Sequence, residues 1–127
     1  MKNDSPKVIL ITGASSGIGK STAMKLLNEG HIVYGAARRL NRMNDIKELG
    51  AHTISMNVTN DNSMVEGIER IIAENSRIDI LVNNAGYGSF GAIEDVDMIE
   101  AKRQFEVNVF GAARLIQLVL PHMRKHE

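Results

Sequence analysis

Cysteine is absent from the 127 residues. That excludes disulfides, thiolate catalysis and cysteine-ligated metals for this chain. A surplus of either charge is absent too, since 15 basic and 15 acidic side chains leave a formal net charge of zero. With no net positive charge and no long basic run, a general nucleic-acid or anionic-membrane binder is not expected. No apolar run approaches the length of a membrane span, and Met1 to Pro6 has no apolar stretch of the kind a signal peptide carries. The expectation is a cytoplasmic protein without a membrane partner. Repeats, linkers and low-complexity segments are missing as well, so residues 1–127 are expected to form one domain. What remains is ordinary for a globular chain: 43% hydrophobic and 24% charged residues, at a length that supports one real core and not two.

The most informative stretch is Thr12-Gly13-Ala14-Ser15-Ser16-Gly17-Ile18-Gly19-Lys20. Val8-Ile9-Leu10-Ile11 before it is a run of β-favouring residues, and Ser21 to Leu27 after it reads as a helix. A strand, a glycine turn and a helix N-terminus follow one another. Backbone N–H groups at that terminus have no intrahelical partner and carry the positive end of the helix dipole, which favours an anion such as a pyrophosphate. Gly13 allows a tight exit from the strand, Gly17 removes a side chain where phosphate would sit, and Gly19 lets the helix pack on the strand. A glycine-rich turn with no ligand is the alternative.

Further on, Ile32-Val33-Tyr34 reads as a second strand after a helix capped by Gly30. A helix with Met43, Ile46 and Leu49 on one face comes next, and Thr53 to Met56 reads as a third strand. Asn60 or Asp61 caps a helix with Val65, Ile68 and Ile72 on its apolar face, and Ile78 to Val82 forms a fourth strand. Strands separated by amphipathic helices predict an α/β fold, a doubly wound parallel sheet of Rossmann type in the order 3-2-1-4, with ligands at the carboxyl ends of the strands. Two helices, from about Asp95 to Val107 and from about Phe110 to Lys125, or one bent unit, complete the chain. Val109, Ala113, Ile116, Leu120 and Met123 are expected to line the packing face of the last one. Leu115, Leu118 and Val119 widen the apolar surface beyond it, with Leu115 and Leu118 expected in an exposed patch. Pro121 is expected to kink or loosen the last turns.

The spacing Gly-x-x-x-Gly-x-Gly, with Thr12 before it and Ile18 inside it, differs from the general dinucleotide fingerprint and resembles the short-chain dehydrogenase/reductase family. Further motifs of that family follow in order along nearly the whole chain. The resemblance implies a Rossmann-type fold, a nicotinamide cofactor, and a small-molecule carbonyl or alcohol substrate. It places Gly13, Ser15, Ser16, Gly17, Ile18 and Gly19 at the cofactor. At the end of the second strand, an acidic residue would bind a ribose 2′-hydroxyl and arginine a 2′-phosphate. This chain has Ala37 at the family's acidic position, then Arg38 and Arg39, so NADP is favoured over NAD, unless the two arginines merely solvate a loop. Ser16 stands where some relatives have another basic residue, which leaves selectivity to Arg38 and Arg39. Asn57-Val58 replaces the family's Asp-Val beside the adenine, and an asparagine oxygen still accepts from the adenine amino group. Asn83-Asn84-Ala85-Gly86 matches a family motif that braces the sheet and passes the cofactor ribose, which adds Asn84, Ala85 and Gly86 to the cofactor site.

Asn108, in Phe105-Glu106-Val107-Asn108-Val109-Phe110-Gly111, matches the asparagine that holds a water in the family's proton relay, and is the one catalytic residue expected here. A hydrogen-bonded core asparagine in an apolar helical face is the alternative. The serine and the Tyr-x-x-x-Lys that complete that relay are not among the 127 residues, since neither Tyr34 nor Tyr87 has a lysine four positions on. The expected domain is therefore incomplete at its C-terminus, the cofactor-holding part of an enzyme with little catalysis of its own. A non-catalytic dinucleotide-binding or protein-interaction module is the alternative. His122 and His126 read as a solvated helix end and not a metal pair, and no metal site is expected. Tyr87 to Val96 resembles relatives acting on steroids or other lipophilic alcohols. A fourth strand with an open edge and a widened last helix predict self-association, and helices at this place in the family form subunit interfaces.

Overall fold

The computed structural model describes residues 5–88 and 91–126. Four parallel strands form its sheet, in the order β3-β2-β1-β4, as the strand and helix alternation predicts. They are β1 (Val8–Thr12), β2 (Ile32–Ala37), β3 (His52–Ser55) and β4 (Ile80–Val82). β1 lies between β2 and β4, with Ile9 opposite Val33 on one side and Ile80 on the other, and all five of its residues are buried. A strand covered on both faces needs apolar residues at every position, which is why Val8 to Ile11 is unbroken and not alternating.

The pleat sends alternate residues to opposite layers. Ile9, Ile11 and Val33 meet α1 (Gly17–Asn28) and α2 (Asn44–Glu48) through Ala23 and Ile46, joined by Met43 just before α2. Leu10, Tyr34 and Ile54 meet α3 (Asp61–Asn75) and α5 (Ala112–Lys125) through Met64, Ile68, Leu115 and Val119. Between α3 and α5 in the chain lies α4 (Met98–Phe105). Asn60 caps α3, its side-chain oxygen accepting from the Ser63 N–H at 3.0 Å, while Asp61 sits in the first turn where the helix dipole favours it.

Several expectations change, β3 beginning and ending one residue earlier than Thr53 to Met56 among them. β2 runs three residues past Tyr34, because Gly35 leaves room for the Ile46 and Ala14 side chains that pack over it. Leu49 leaves the core: a 3₁₀ turn over Leu40–Met43 precedes a five-residue α2, so Met43 and Ile46 face inward while Leu49 falls on the C-cap, 57% exposed. β4 starts at Ile80, not Ile78. The inward face of the last helix is also different. Leu115 and Val119 are fully buried and Leu118 and Met123 pack against the core, while Val109, Ile116 and Leu120 are exposed.

The cause of that last change is the backbone between the two helices. α4 and α5 are joined without a break through a π-helical segment, Glu106–Gly111. Its extra residue per turn rotates everything after it relative to a uniform 3.6-residue projection. Gly111 then sits where any Cβ would collide with the Val58 carbonyl, so Gly111, Leu115 and Val119, four apart, form the contact stripe. Pro121 does not end α5, which continues to Lys125.

Asp79 fixes the register at the sheet's open edge. Its carboxylate accepts the Val8 N–H at 2.8 Å, its own N–H donates to the Val8 carbonyl at 2.9 Å, and Arg77 grips it at 2.7 to 3.1 Å. Burial pushes the Asp79 carboxyl up, but the Arg77 fork, the Val8 N–H and the charges of Arg77 and Lys7 outweigh it and hold it below the usual carboxylate range. A depressed folded value means stability that is complete above the unfolded pKa, about 3.9, and lost as pH falls through the folded one. Urea titrations should show Asp79→Asn less stable than the parent by about 1–2 kcal/mol at pH 7, with the gap closing as pH drops below about 4. A gap that stays constant down to acid pH would contradict the role given to the ionised carboxylate.

Candidate functional site

The carboxyl ends of the strands converge on Thr12, the last residue of β1 and the one buried polar side chain among the described residues. Its hydroxyl oxygen accepts the backbone N–H groups of Asn84 and Ala85 at 3.0 and 2.9 Å, and its proton points to the Val82 carbonyl at 3.5 Å. One side chain on β1 thus ends β4 and shapes the loop after it. Asn84 returns the contact, its amide donating to the Gly13 carbonyl at 3.1 Å, and Asn83 donates to the Ala112 carbonyl at 3.2 Å.

The glycine turn is held from several directions. Gly13 has φ +65°, a left-handed conformation that costs glycine nothing, and the Ala14 N–H donates to the Ala36 carbonyl of β2 at 3.2 Å. At Gly19 a Cβ would collide with the Gly13 carbonyl and the Asn84 amide, so this position brings α1 onto the turn and onto the loop after β4 together. Gly17 also has a positive φ, +58°, but faces open space. Above it, the α1 N-terminus has no side-chain cap, since the Ser16 hydroxyl does not fold back on it, and no acidic residue stands in its first turn. Its outermost N–H groups are available to an anion.

A cavity of about 390 Å³ opens between these elements. Gly13, Ser15, Arg38, Asn57, Val58, Ala85 and Gly86 line it, together with Thr12, Tyr87, Arg103 and Val107, to which the sequence reading assigned no place in the site. Ser16, Gly17, Ile18 and Gly19 stand outside that wall, with Ile18 80% exposed, and so do Arg39, Asn84 and Asn108. Arg38 is aimed partly by its own backbone, whose carbonyl accepts from the Ser55 hydroxyl at 3.1 Å. Asn57 makes an Asx-type turn: its side-chain oxygen, the one expected to meet an adenine amino group, accepts both the N–H and the hydroxyl of Thr59, at 2.9 and 2.7 Å.

Asn108 stands in the π-helical segment and is exposed, not set into an apolar face. It grips the backbone of Tyr87, accepting its N–H at 3.0 Å and donating to its carbonyl at 2.6 Å. Gly86 is small for that reason, a Cβ there reaching within 2.9 Å of the Asn108 oxygen. The Tyr87 hydroxyl donates to Glu100 at 2.9 Å, and desolvation and this bond push it up against the lowering charges of Arg103 and Arg38. Tyr87 therefore stays protonated at neutral pH. Of the Tyr87 to Val96 segment, residues 89 and 90 lie outside the described residues. At the far end of α5 the His126 ring lies 3.0 Å from the Ser76 carbonyl, and no group of three metal-ligating side chains occurs among the described residues.

An uncapped helix start, an open Gly17 and an arginine on the wall, at the strand ends of a doubly wound sheet, fit a phosphorylated dinucleotide. Comparison with known proteins gives the family. The family model described as short chain dehydrogenase matches residues 7–127. The chain is 44% identical over 121 residues to 3-ketodihydrosphingosine reductase of Bacteroides thetaiotaomicron, covering 94% of this chain and 43% of that protein. The solved L-sorbose reductase of Gluconobacter frateurii, complexed with NADPH and L-sorbose, superposes with a TM-score of 0.86 at 30% identity, over 95% of this chain and 49% of its own. A 3-ketoacyl-(acyl-carrier-protein) reductase of Brucella melitensis, complexed with NADH, does so with a TM-score of 0.89 at 30% identity, over 94% and 51%. The chain thus spans about half the length of the relatives it matches. No helix among the described residues is long and apolar enough to cross a membrane. With the fold and the glycine turn in agreement and residues 7–127 matched by its family model, this chain belongs to the short chain dehydrogenase family, whose members are oxidoreductases.

Proposed function

We propose that this chain is the cofactor-holding part of an NADP-dependent oxidoreductase acting on a small-molecule carbonyl or alcohol. The observation that carries the cofactor choice is Arg38 on the cavity wall directly after Ala37, where no carboxylate stands to receive a ribose 2′-hydroxyl. NADP(H) would supply or accept the hydride. The chain's own residues bind and orient it. The turn from Gly13 to Gly19 and the α1 N-terminus would take the pyrophosphate, with Ser15, Ser16 and Ile18 around it. Arg38, flanked by Arg39, would take the 2′-phosphate, Asn57 and Val58 would border the adenine, and Asn84, Ala85 and Gly86 would border the ribose. Asn108 is proposed to serve the proton path by holding the Tyr87 backbone in place and ordering a water beside it. A general acid of the Tyr-x-x-x-Lys kind is not among these residues, so they bind cofactor without turning it over.

Fluorescence or calorimetric titration should show NADPH bound more tightly than NADH, with Arg38→Ala removing about 2 kcal/mol of that preference. The same 127 residues should consume no NADPH when carbonyl compounds are added. Equal affinities for the two cofactors would contradict the NADP assignment.

Self-association is the partner reading that the surface supports. Val109 and Phe110 on the π-helical segment and Ile116 and Leu120 on α5 are all at least 39% exposed, and the edge strand β4 leaves Ile80 41% exposed. We propose that a second copy covers this surface. Light scattering should find the chain associated at micromolar concentration and driven toward monomer by Ile116→Glu with Leu120→Glu. A monomer in both cases would contradict it.

A further inference from the structure

Arg38 and Arg103 come from different places, the residue after β2 and the last turn of α4, yet line the same cavity. Three other arginines are answered, Arg70 by Glu74, Arg77 by Asp79 and Arg114 by Asp61, while the exposed Arg39, Arg42 and Arg124 stand outside the cavity. No carboxylate pairs with Arg38 or Arg103 among the described residues. The nearest acid in sequence on α4, Glu100, accepts the Tyr87 hydroxyl instead, and that hydroxyl feels the charge of both guanidiniums. Two unanswered like charges in one concavity repel each other, and an anion placed between them relieves the repulsion and gains both attractions.

The position of the pair narrows the anion. The cavity both arginines line is also walled by Ala37 from β2 and by Asn57 and Val58 after β3, the residues the cofactor reading gives to the adenosine, whereas the pyrophosphate is assigned to the α1 N-terminus. We infer that Arg103 is a second specificity residue for the 2′-phosphate of NADP, binding it from α4 together with Arg38 just after β2. The inference rests on the cofactor reading above and adds to it a residue that no glycine or strand-end motif points to. Guanidinium forks from two directions would enclose the phosphate more fully than one.

The test is a set of dissociation constants for NADPH, NADH, adenosine 2′,5′-bisphosphate and AMP, measured on the parent chain, Arg38→Ala, Arg103→Ala and Arg103→Lys. Arg103 is exposed, and far-UV circular dichroism of each variant should match the parent. Arg103→Ala should weaken NADPH and the bisphosphate on the order of tenfold while NADH and AMP change by less than about twofold, with Arg103→Lys recovering part of the loss. If the parent prefers NADPH and Arg103→Ala keeps that preference while Arg38→Ala loses it, the inference is overturned and the cofactor reading stands. An equal loss for both cofactors overturns it as well. A parent with no preference, or with no binding, overturns both.

Discussion

The geometry of the site depends on one hydroxyl. Thr12 is buried at the end of the central strand, and its oxygen takes two successive backbone N–H groups from the loop after β4. Those donors lie beyond the last ladder bond of the sheet, where a strand normally hands its unpaired groups to solvent. Supplying them from a neighbouring strand's side chain keeps the loop pressed against the glycine turn. Asn84 can then reach the Gly13 carbonyl, and Gly19 is obliged to have no side chain because the Asn84 amide and that carbonyl occupy the space. Four residues therefore specify one another: a threonine, two glycines and an asparagine, with the cavity as their common product.

A second clamp acts on Tyr87, another residue of the cavity wall. Asn108 spends both ends of its amide on the Tyr87 backbone, and the π-helical segment is what turns Asn108 outward to do so while Gly111 brings the start of α5 against the Val58 carbonyl. The wide turn thus serves positioning at both of its ends. π-helical turns inside longer helices recur at functional sites for such reasons. Charge completes the arrangement: the strand ends present arginines, an uncapped helix start and backbone N–H groups, with the nearby carboxylate of Glu100 occupied by Tyr87.

Much of this was legible from residue order. The strand order follows from alternating apolar runs and amphipathic helices, and the glycine spacing locates the turn and helix start. What escaped was whatever depends on long-range pairing or on a change of helical pitch. The exposed side of α5 could not be found by projecting 3.6 residues per turn across Glu106–Gly111, because the pitch changes there; the four-residue spacing of Gly111, Leu115 and Val119 was the available signal. Leu49 misled for a similar reason, the 3₁₀ turn before α2. Thr12 was noticed only as part of a spacing, and its role requires knowing that β4 lies beside β1. Arg103 reads as one more charged residue on a helix surface, and only the folded chain brings it to the wall shared with Arg38.

That a single threonine hydroxyl holds the proposed dinucleotide site in shape is tested most directly by the NADPH dissociation constant of Thr12→Val beside that of Thr12→Ser. Valine keeps the shape and removes the acceptor, leaving the Asn84 and Ala85 N–H groups without a partner; serine keeps the oxygen. Valine should weaken NADPH binding by more than about tenfold and serine by far less, since two partly buried donors lose their bonds in one case only. A valine variant that binds NADPH as the parent does would show that the loop after β4 keeps its place without Thr12.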